Sequence, residues 1–201
     1  LAHTAVDLLA KADRDGDPDI ADARTAVETL SRRADGVMQF VESYRQISRA
    51  PQVKLKSFGV AAWVKELDTL FRASDAADGV ALETRVDPPA LKMEADPDLL
   101  AQVILNLLKN GAEAARAHAA EPRVLLNVQF LPTGEVQIDV ADNGAGVPDS
   151  LRADVFLPFF TTKAKGTGVG LSLARQIVLG HRGSIAVSDS PDGGALFRMV
   201  I

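Results

Sequence analysis

The 201-residue sequence contains no cysteine, which excludes disulfides, zinc–thiolate centres and thiol catalysis. Its three histidines, His3, His118 and His181, are far apart and show no spacing suited to a histidine-based metal centre. Aromatic residues are scarce, at eight Phe, one Trp and one Tyr. Lys and Arg number 22 against 27 Asp and Glu, a net charge of −5. The chain therefore lacks both the basic surplus and the stacking residues of a nucleic-acid binder. No apolar run approaches the roughly 20 residues of a membrane helix, so no membrane contact is expected within this chain. The first dozen residues lack the basic leader and cleavage pattern of a signal peptide. What remains is cytoplasmic, globular material, at 47% hydrophobic and 24% charged. Leu1 is not an initiator Met, and the residues after it already read as helix interior, so the expectation is a piece of a longer protein.

Two periodicities divide the chain. Ile20, Ala23, Val27, Leu30, Ala34, Val37, Val41 and Tyr44 are spaced 3-4-3-4-3-4-3, the rhythm of a heptad seam in a bundle or coiled-coil helix. Pro18 suits the first turn of that helix and Pro51 its stop, which gives about 30 residues, or roughly 45 Å. A shorter helical stretch from Leu1 to about Ala12 precedes it, and Asp13–Asp17 reads as the turn of an antiparallel hairpin. The arms differ by roughly 27 Å, so the shorter one is expected to continue upstream of Leu1. Two helices cannot bury a two-sided core alone, and a dimeric four-helix bundle completes it. Residues 1–52 are accordingly expected to form a dimerisation hairpin; a helical spacer packed on the second segment is the alternative.

Residues 53–201 mix helices and strands. The spacing predicts helices over Val60–Phe71, with Trp63, Leu67, Leu70 and Phe71 on the apolar side, over Pro97 to about Ala117 behind an Asp96 cap, and over Leu171–Leu179. Strands are expected at Ala81–Val86 and Lys92–Ala95. Hairpins are expected over Val124–Leu131 with Glu135–Ala141, and over Ser184–Ser188 with Leu196–Ile201. The fold class is α+β, a two-layer sandwich.

Three features carry chemistry. On the Pro97–Ala117 helix, Leu100, Val103, Ile104, Leu107, Leu108 and Gly111 form an apolar stripe, opposite Gln102, Asn106, Asn110 and Glu113. Asn106 and Asn110 share one face; amide oxygens suit Mg²⁺, although by itself the pair reads equally as surface polarity. Asp142-Asn143-Gly144-Ala145-Gly146-Val147 follows a strand, offering a carboxylate acceptor beside a turn open to a flat ring; alone it also reads as a plain turn. Gly166-Thr167-Gly168-Val169-Gly170-Leu171 opens onto a helix, where free N–H groups and the dipole favour an anion. It matches neither the dinucleotide fingerprint nor a P-loop. Lys163 and Lys165 add positive charge, and Phe156–Phe160 is an apolar block suited to a hinge.

Asn-Leu-Leu-Lys-Asn (106–110), Asp-Asn-Gly-Ala-Gly-Val (142–147), Phe-Leu-Pro-Phe-Phe-Thr-Thr-Lys (156–163) and Gly-Thr-Gly-Val-Gly-Leu (166–171) resemble, in order, the N box, first glycine box, F box and second glycine box of bacterial sensor histidine kinases. The resemblance covers residues 58–201 and implies the Bergerat ATP-binding fold, shared with type II topoisomerases, mismatch-repair ATPases and a heat-shock chaperone class. It implies ATP and Mg²⁺ as cofactors, with Asn110 as metal ligand and Asn106 near metal and phosphates. Asp142 would meet the adenine amino group, with Gly144, Gly146 and Val147 shaping the base pocket. Lys109, Phe160, Thr161, Thr162, Lys163 and the Gly166, Thr167, Gly168, Val169, Gly170, Leu171 loop would complete the nucleotide site. Asn106, Asn110 and Lys163 are the candidate catalytic residues.

The resemblance further implies a homodimer that phosphorylates a histidine of its hairpin and passes the group to a response regulator aspartate, in a parent protein that inner-membrane anchoring would suit. Hydrolytic members of the superfamily carry Glu where Asn106 stands, and an amide cannot take a proton from water at neutral pH. The His-Glu phosphoacceptor pattern is absent: Thr4 follows His3, so the acceptor is expected upstream of Leu1, and nucleotide binding without self-phosphorylation follows. His181 is expected to cap carbonyls at a helix end, and His118 to be solvated. Gly193-Gly194-Ala195 resembles the last glycine-rich turn, with Ala195 and Leu196 in place of the usual Thr. A stand-alone ATPase and a non-catalytic, nucleotide-regulated dimerisation module are the rival readings; serine kinases of the anti-sigma type lack a long heptad hairpin.

Overall fold

A computed structural model describes residues 27–31, 34, 52–163 and 166–201. The chain divides into two compact units, Leu1–Ser48 and Arg49–Ile201. In the first, residues 27–31 and Ala34 are helical, as the heptad spacing predicts for that stretch, with Leu30 exposed and Ser31 buried. The short arm, the Asp13–Asp17 turn and the Pro18 start lie outside the described residues.

The second unit begins with strand β1 (Lys56–Gly59) and helix α1 (Val60–Arg72), followed by β2 (Ala81–Asp87) and β3 (Lys92–Ala95). Helix α2 (Pro97–His118), the strands β4 (Arg123–Phe130) and β5 (Val136–Asp142), helix α3 (Gly170–Gly180) and the strands β6 (Ser184–Asp189) and β7 (Ala195–Val200) complete it. Five strands form one sheet in the order β2-β4-β5-β7-β6, and β1 pairs with β3 in a separate antiparallel ribbon. Among the described strands only β2 and β4 run parallel, a pairing that needs a crossover, supplied by β3 and α2. The β4–β5 hairpin turns at Gly134, whose φ of +93° requires glycine. The three helices cover one face of the sheet, giving the two-layer sandwich.

Helix α2 is the spine of this core. Asp96 caps it by accepting from the Asp98 and Leu99 N–H groups at 3.2 and 3.1 Å, and Pro97 occupies the first turn, where its missing donor costs nothing. Leu100, Ile104, Leu107 and Leu108 are fully buried at helical spacing, in one cluster with Leu126, Ile138 and Met199. At α1 one expectation is corrected. Val60, Trp63, Val64, Leu67 and Phe71 are buried, whereas Leu70 lies at the edge of that stripe and is 57% exposed. Trp63 is held by its ring N–H to the Pro97 carbonyl at 3.2 Å and by Phe58 edge-on at 5.3 Å.

Every residue of β5 is buried, as befits the central strand. Val136, Ile138, Val140 and Asp142 point toward the helices by strand alternation. On the other face Asp139 takes a two-pronged pair from Arg198, at 2.8 and 2.9 Å, and a bond from Gln137 at 2.8 Å. His181 ends α3 as expected: its Nδ1 meets the Ile177 carbonyl at 2.8 Å. Its Nε2 also meets the Asp96 N–H at 2.9 Å, so the ring ties the end of α3 to the start of α2. Burial pushes the Asp96 carboxyl up, but the N–H groups of Lys54, Leu99 and Asp98, with His181, outweigh it and hold the group below the ordinary carboxylate range.

Candidate functional site

The inward alternation of β5 ends on Asp142, which places a carboxylate at the sheet's edge beneath α2. Gly111 makes room for it: a Cβ there would lie 3.2 Å from the Asp142 Cβ. The Gly144 and Ala195 N–H groups both donate to Asp142 Oδ1, at 2.8 and 3.2 Å. These two bonds fix one oxygen and leave Oδ2 to the adjoining cavity, which Asp142 lines. Desolvation raises the Asp142 carboxyl above its ordinary value, a shift that the two N–H donors reduce without cancelling.

Two turns meet around this carboxylate, backbone against backbone. Gly194, with φ +83°, sits where any Cβ would strike the Asp142 carbonyl and lie 2.6 Å from the Gly144 nitrogen. Gly146, with φ +76°, faces the Gly194 carbonyl. Arg152 braces the arrangement from outside: its Nε bonds the Val147 carbonyl at 3.3 Å, while its Nη2 pairs with Asp189 and, at 2.8 Å, with Asp149. Removing that brace should loosen Val147 without unfolding the domain. Arg152→Ala is expected to weaken binding of the adenine nucleotide that the sequence resemblance implies about three- to tenfold, the loss of one or two modest hydrogen bonds, in a calorimetric titration.

A cavity of about 760 Å³ opens between α2, the Asp142 turn and the loop that leads into α3. Of the residues singled out from the sequence, Asn106, Lys109, Asn110, Asp142, Gly146, Val147, Phe160, Thr161, Thr162, Lys163, Gly166, Thr167, Gly168, Gly170 and Leu171 line it. Gly144 and Val169 do not: Gly144 packs its Cα on the Ala114 backbone, and Val169 is buried at the start of α3. Lys165 lies outside the described residues. Gln102, on the polar stripe, is exposed and away from the cavity. Glu113, Leu151, Ala195 and Phe197 line it as well. Of these, Glu113 was legible only as part of the polar stripe of α2, three residues beyond Asn110.

The loop is held close to α2 by its glycines. Gly168, with φ +67°, lies against Phe159, and its carbonyl accepts from the Phe159 N–H at 2.8 Å. Phe159 itself has φ +65°, a left-handed conformation strained for a bulky residue. Gly170 abuts the side chain of Asn106, so near that a Cβ would lie 2.9 Å from its Nδ2. That Nδ2 is buried with no hydrogen-bond partner, an orphaned donor suited to a ligand oxygen. The first N–H groups of α3 add further unpaired donors. Lys163 Nζ donates to Asn110 Oδ1 at 2.8 Å and Glu113 Oε2 at 2.6 Å. A cation already sits between an amide and a carboxylate oxygen, donors of the kind Mg²⁺ takes, so these residues fit a metal–phosphate ligand.

The family profile described as histidine kinase-, DNA gyrase B- and HSP90-like ATPase matches residues 95–201, more than half of the chain. The chain belongs to this family. Among its relatives, the signal transduction histidine-protein kinase AtoS of Escherichia coli K12 is 31% identical over 87% of this chain and 28% of its own length. The sensor histidine kinase ZraS of Klebsiella oxytoca is 31% identical over 96% of this chain and 41% of its own. The chain thus spans well under half the length of these relatives. The catalytic domain of histidine kinase ThkA, in a nucleotide-free form, superposes with a TM-score of 0.65 at 29% identity, covering 74% of this chain and 95% of that one. The matched ATPase region starts at Ala95, one residue before the cap of α2, so it contains all the cavity-lining residues named above. Among the described residues no helix is long and apolar enough to cross a membrane.

Proposed function

We propose that this ATPase-family chain is the catalytic core of a two-component sensor histidine kinase, with residues 1–52 as dimerisation hairpin and 53–201 as ATP-binding domain. The observation that carries the reading is the convergence of Asn106, Asn110, Asp142 and the glycine loop on one cavity. The base of ATP enters beside Asp142, whose unbonded Oδ2 accepts from the adenine amino group. The triphosphate runs toward Asn106 and the start of α3, where the orphaned Nδ2 and free backbone donors meet phosphate oxygens. Asn110 holds Mg²⁺, which neutralises phosphate charge when bound. Lys163 serves the phosphates from the loop.

The site orients ATP without activating water. Asn106 stands where a hydrolytic enzyme needs a base and cannot supply one. Positioning and charge neutralisation therefore serve transfer of the γ-phosphoryl group to a histidine of the homodimer's helical hairpin, and from there to an aspartate of a response regulator. The kinase names of the relatives support this over the rival ATPase. The core works in the cytoplasm, whether or not its parent is anchored in the inner membrane.

Calorimetric titration with Mg·AMPPNP tests the reading. Saturable one-site binding is expected, with Asn110→Ala weakening it about tenfold or more, and only slow steady-state ATP hydrolysis. Rapid turnover would favour a stand-alone ATPase, and absence of affinity a non-catalytic dimerisation module.

A further inference from the structure

Lys163 is placed by the fold where the proposed site needs something else. Its ammonium lies 2.8 Å from Asn110 Oδ1, the oxygen assigned to the metal, and 2.6 Å from Glu113 Oε2. Asn110 and Glu113 are three residues apart on α2 and so share a face; Lys163 reaches them from a loop some fifty positions later in the chain. The base of that loop is set at the same time: the Lys163 N–H donates to Thr161 Oγ1 at 3.1 Å, and its carbonyl accepts from Gly166 at 3.1 Å. A neutral amide alone would hold an ammonium weakly. The carboxylate of Glu113 makes the contact charge-assisted.

We infer that Glu113 is a positioning residue that latches Lys163 onto the metal-ligand oxygen of Asn110 until nucleotide arrives. The inference rests on the proposed Mg·ATP site. Lysine and metal ion compete for one oxygen, since both are cations and neither tolerates the other at that distance. Entry of the metal–nucleotide frees Lys163 from Asn110, and the triphosphate gives its ammonium a new anionic partner. Glu113 thereby sets how readily the loop exchanges its internal partner for the ligand. Both side chains are partly exposed, at 47% for Lys163 and 37% for Glu113, so the latch is weak enough to open.

Two measurements on the intact chain test this, with Glu113→Gln, Lys163→Met and the double variant. In the nucleotide-free protein, hydrogen exchange at the Phe159, Lys163 and Gly166 amides is expected to speed up about two- to fivefold in either single variant. The double variant should exchange no faster than the singles, because one contact is lost once. In Mg·AMPPNP titrations, Glu113→Gln is expected to bind about two- to fivefold tighter than wild type, a gain that disappears in the Lys163→Met background. Unchanged exchange in Glu113→Gln, additive exchange effects, weaker binding, or a binding gain that persists without Lys163 would each overturn the latch. If wild type binds Mg·AMPPNP while exchange is uncoupled, only the latch fails. If coupled exchange is seen but nothing binds the nucleotide, the proposed function fails and the Lys163–Glu113 contact stands as a structural one.

Discussion

Gly194→Ala is expected to abolish detectable adenine-nucleotide binding and to destabilise the domain by about 3 kcal/mol, a fall in melting temperature on the order of 10 °C. Two costs combine. The residue has φ +83°, where a Cβ carries a strain of roughly 1–2 kcal/mol. The same Cβ would also press on backbone from two sides, against the Asp142 carbonyl oxygen and 2.6 Å from the Gly144 nitrogen. Neither neighbour is the end of a flexible side chain, so the turn must move as a whole. That movement separates the Ala195 N–H from Asp142 and frees the carboxylate whose orientation the site depends on. Gly193 provides the internal control. Its φ is +79°, but nothing lies within 4 Å of its Cβ position, so Gly193→Ala should show the strain alone, about 1 kcal/mol, and still bind nucleotide. Circular-dichroism melts and calorimetry on the pair separate strain from collision; equal losses in the two variants would show that the close packing of the turns does not matter.

Why the contact of Gly194 with Asp142 escaped the sequence, while the inward direction of Asp142 did not, follows from where each is made. Asp142 ends a run in which Val136, Ile138 and Val140 alternate, so its inward direction follows from strand geometry alone. Gly194 reads as part of a last glycine-rich turn, but its closeness to Asp142 arises only when β7 pairs with β5 in the register that puts Ala141 opposite Leu196. The same limit hid β1, whose four residues carry no alternation and whose partner β3 is remote in sequence. It also hid the parallel pairing of β2 with β4, since a hairpin-rich pattern says nothing about which strands a crossover joins. Helix α2 was legible in nearly every detail because cap, proline and stripe are local. Its polar face was legible as residue types but not as partners: that Asn110 and Glu113 meet Lys163 is a property of the folded loop.

Asp142→Asn should raise the melting temperature while weakening ATP binding about a hundredfold, as expected for a charged acceptor replaced by a donor. The amide oxygen can keep both N–H bonds from Gly144 and Ala195, which fall on one atom of the native carboxylate. The amide nitrogen then takes the place of Oδ2 and points a donor at the donor of adenine. A base with a carbonyl at that position, as in ITP, turns the clash into a hydrogen bond, so the variant should lose far less affinity for ITP than for ATP. The stability gain has a separate origin. Burial raises the Asp142 carboxyl above its unfolded value, so the unfolded chain gives up this proton at lower pH than the folded one. Stability therefore falls as pH rises from the ordinary aspartate value, about 4, through the raised folded value, and the full penalty is present above the latter. Below about pH 4 the group is protonated in both states and the penalty is gone. The melting-temperature difference between variant and wild type should accordingly grow as pH rises above about 4 and shrink toward pH 4. A variant no more stable than wild type at pH 7, or one that binds ATP unchanged, would mean that this carboxylate is neither strained by burial nor in contact with the base.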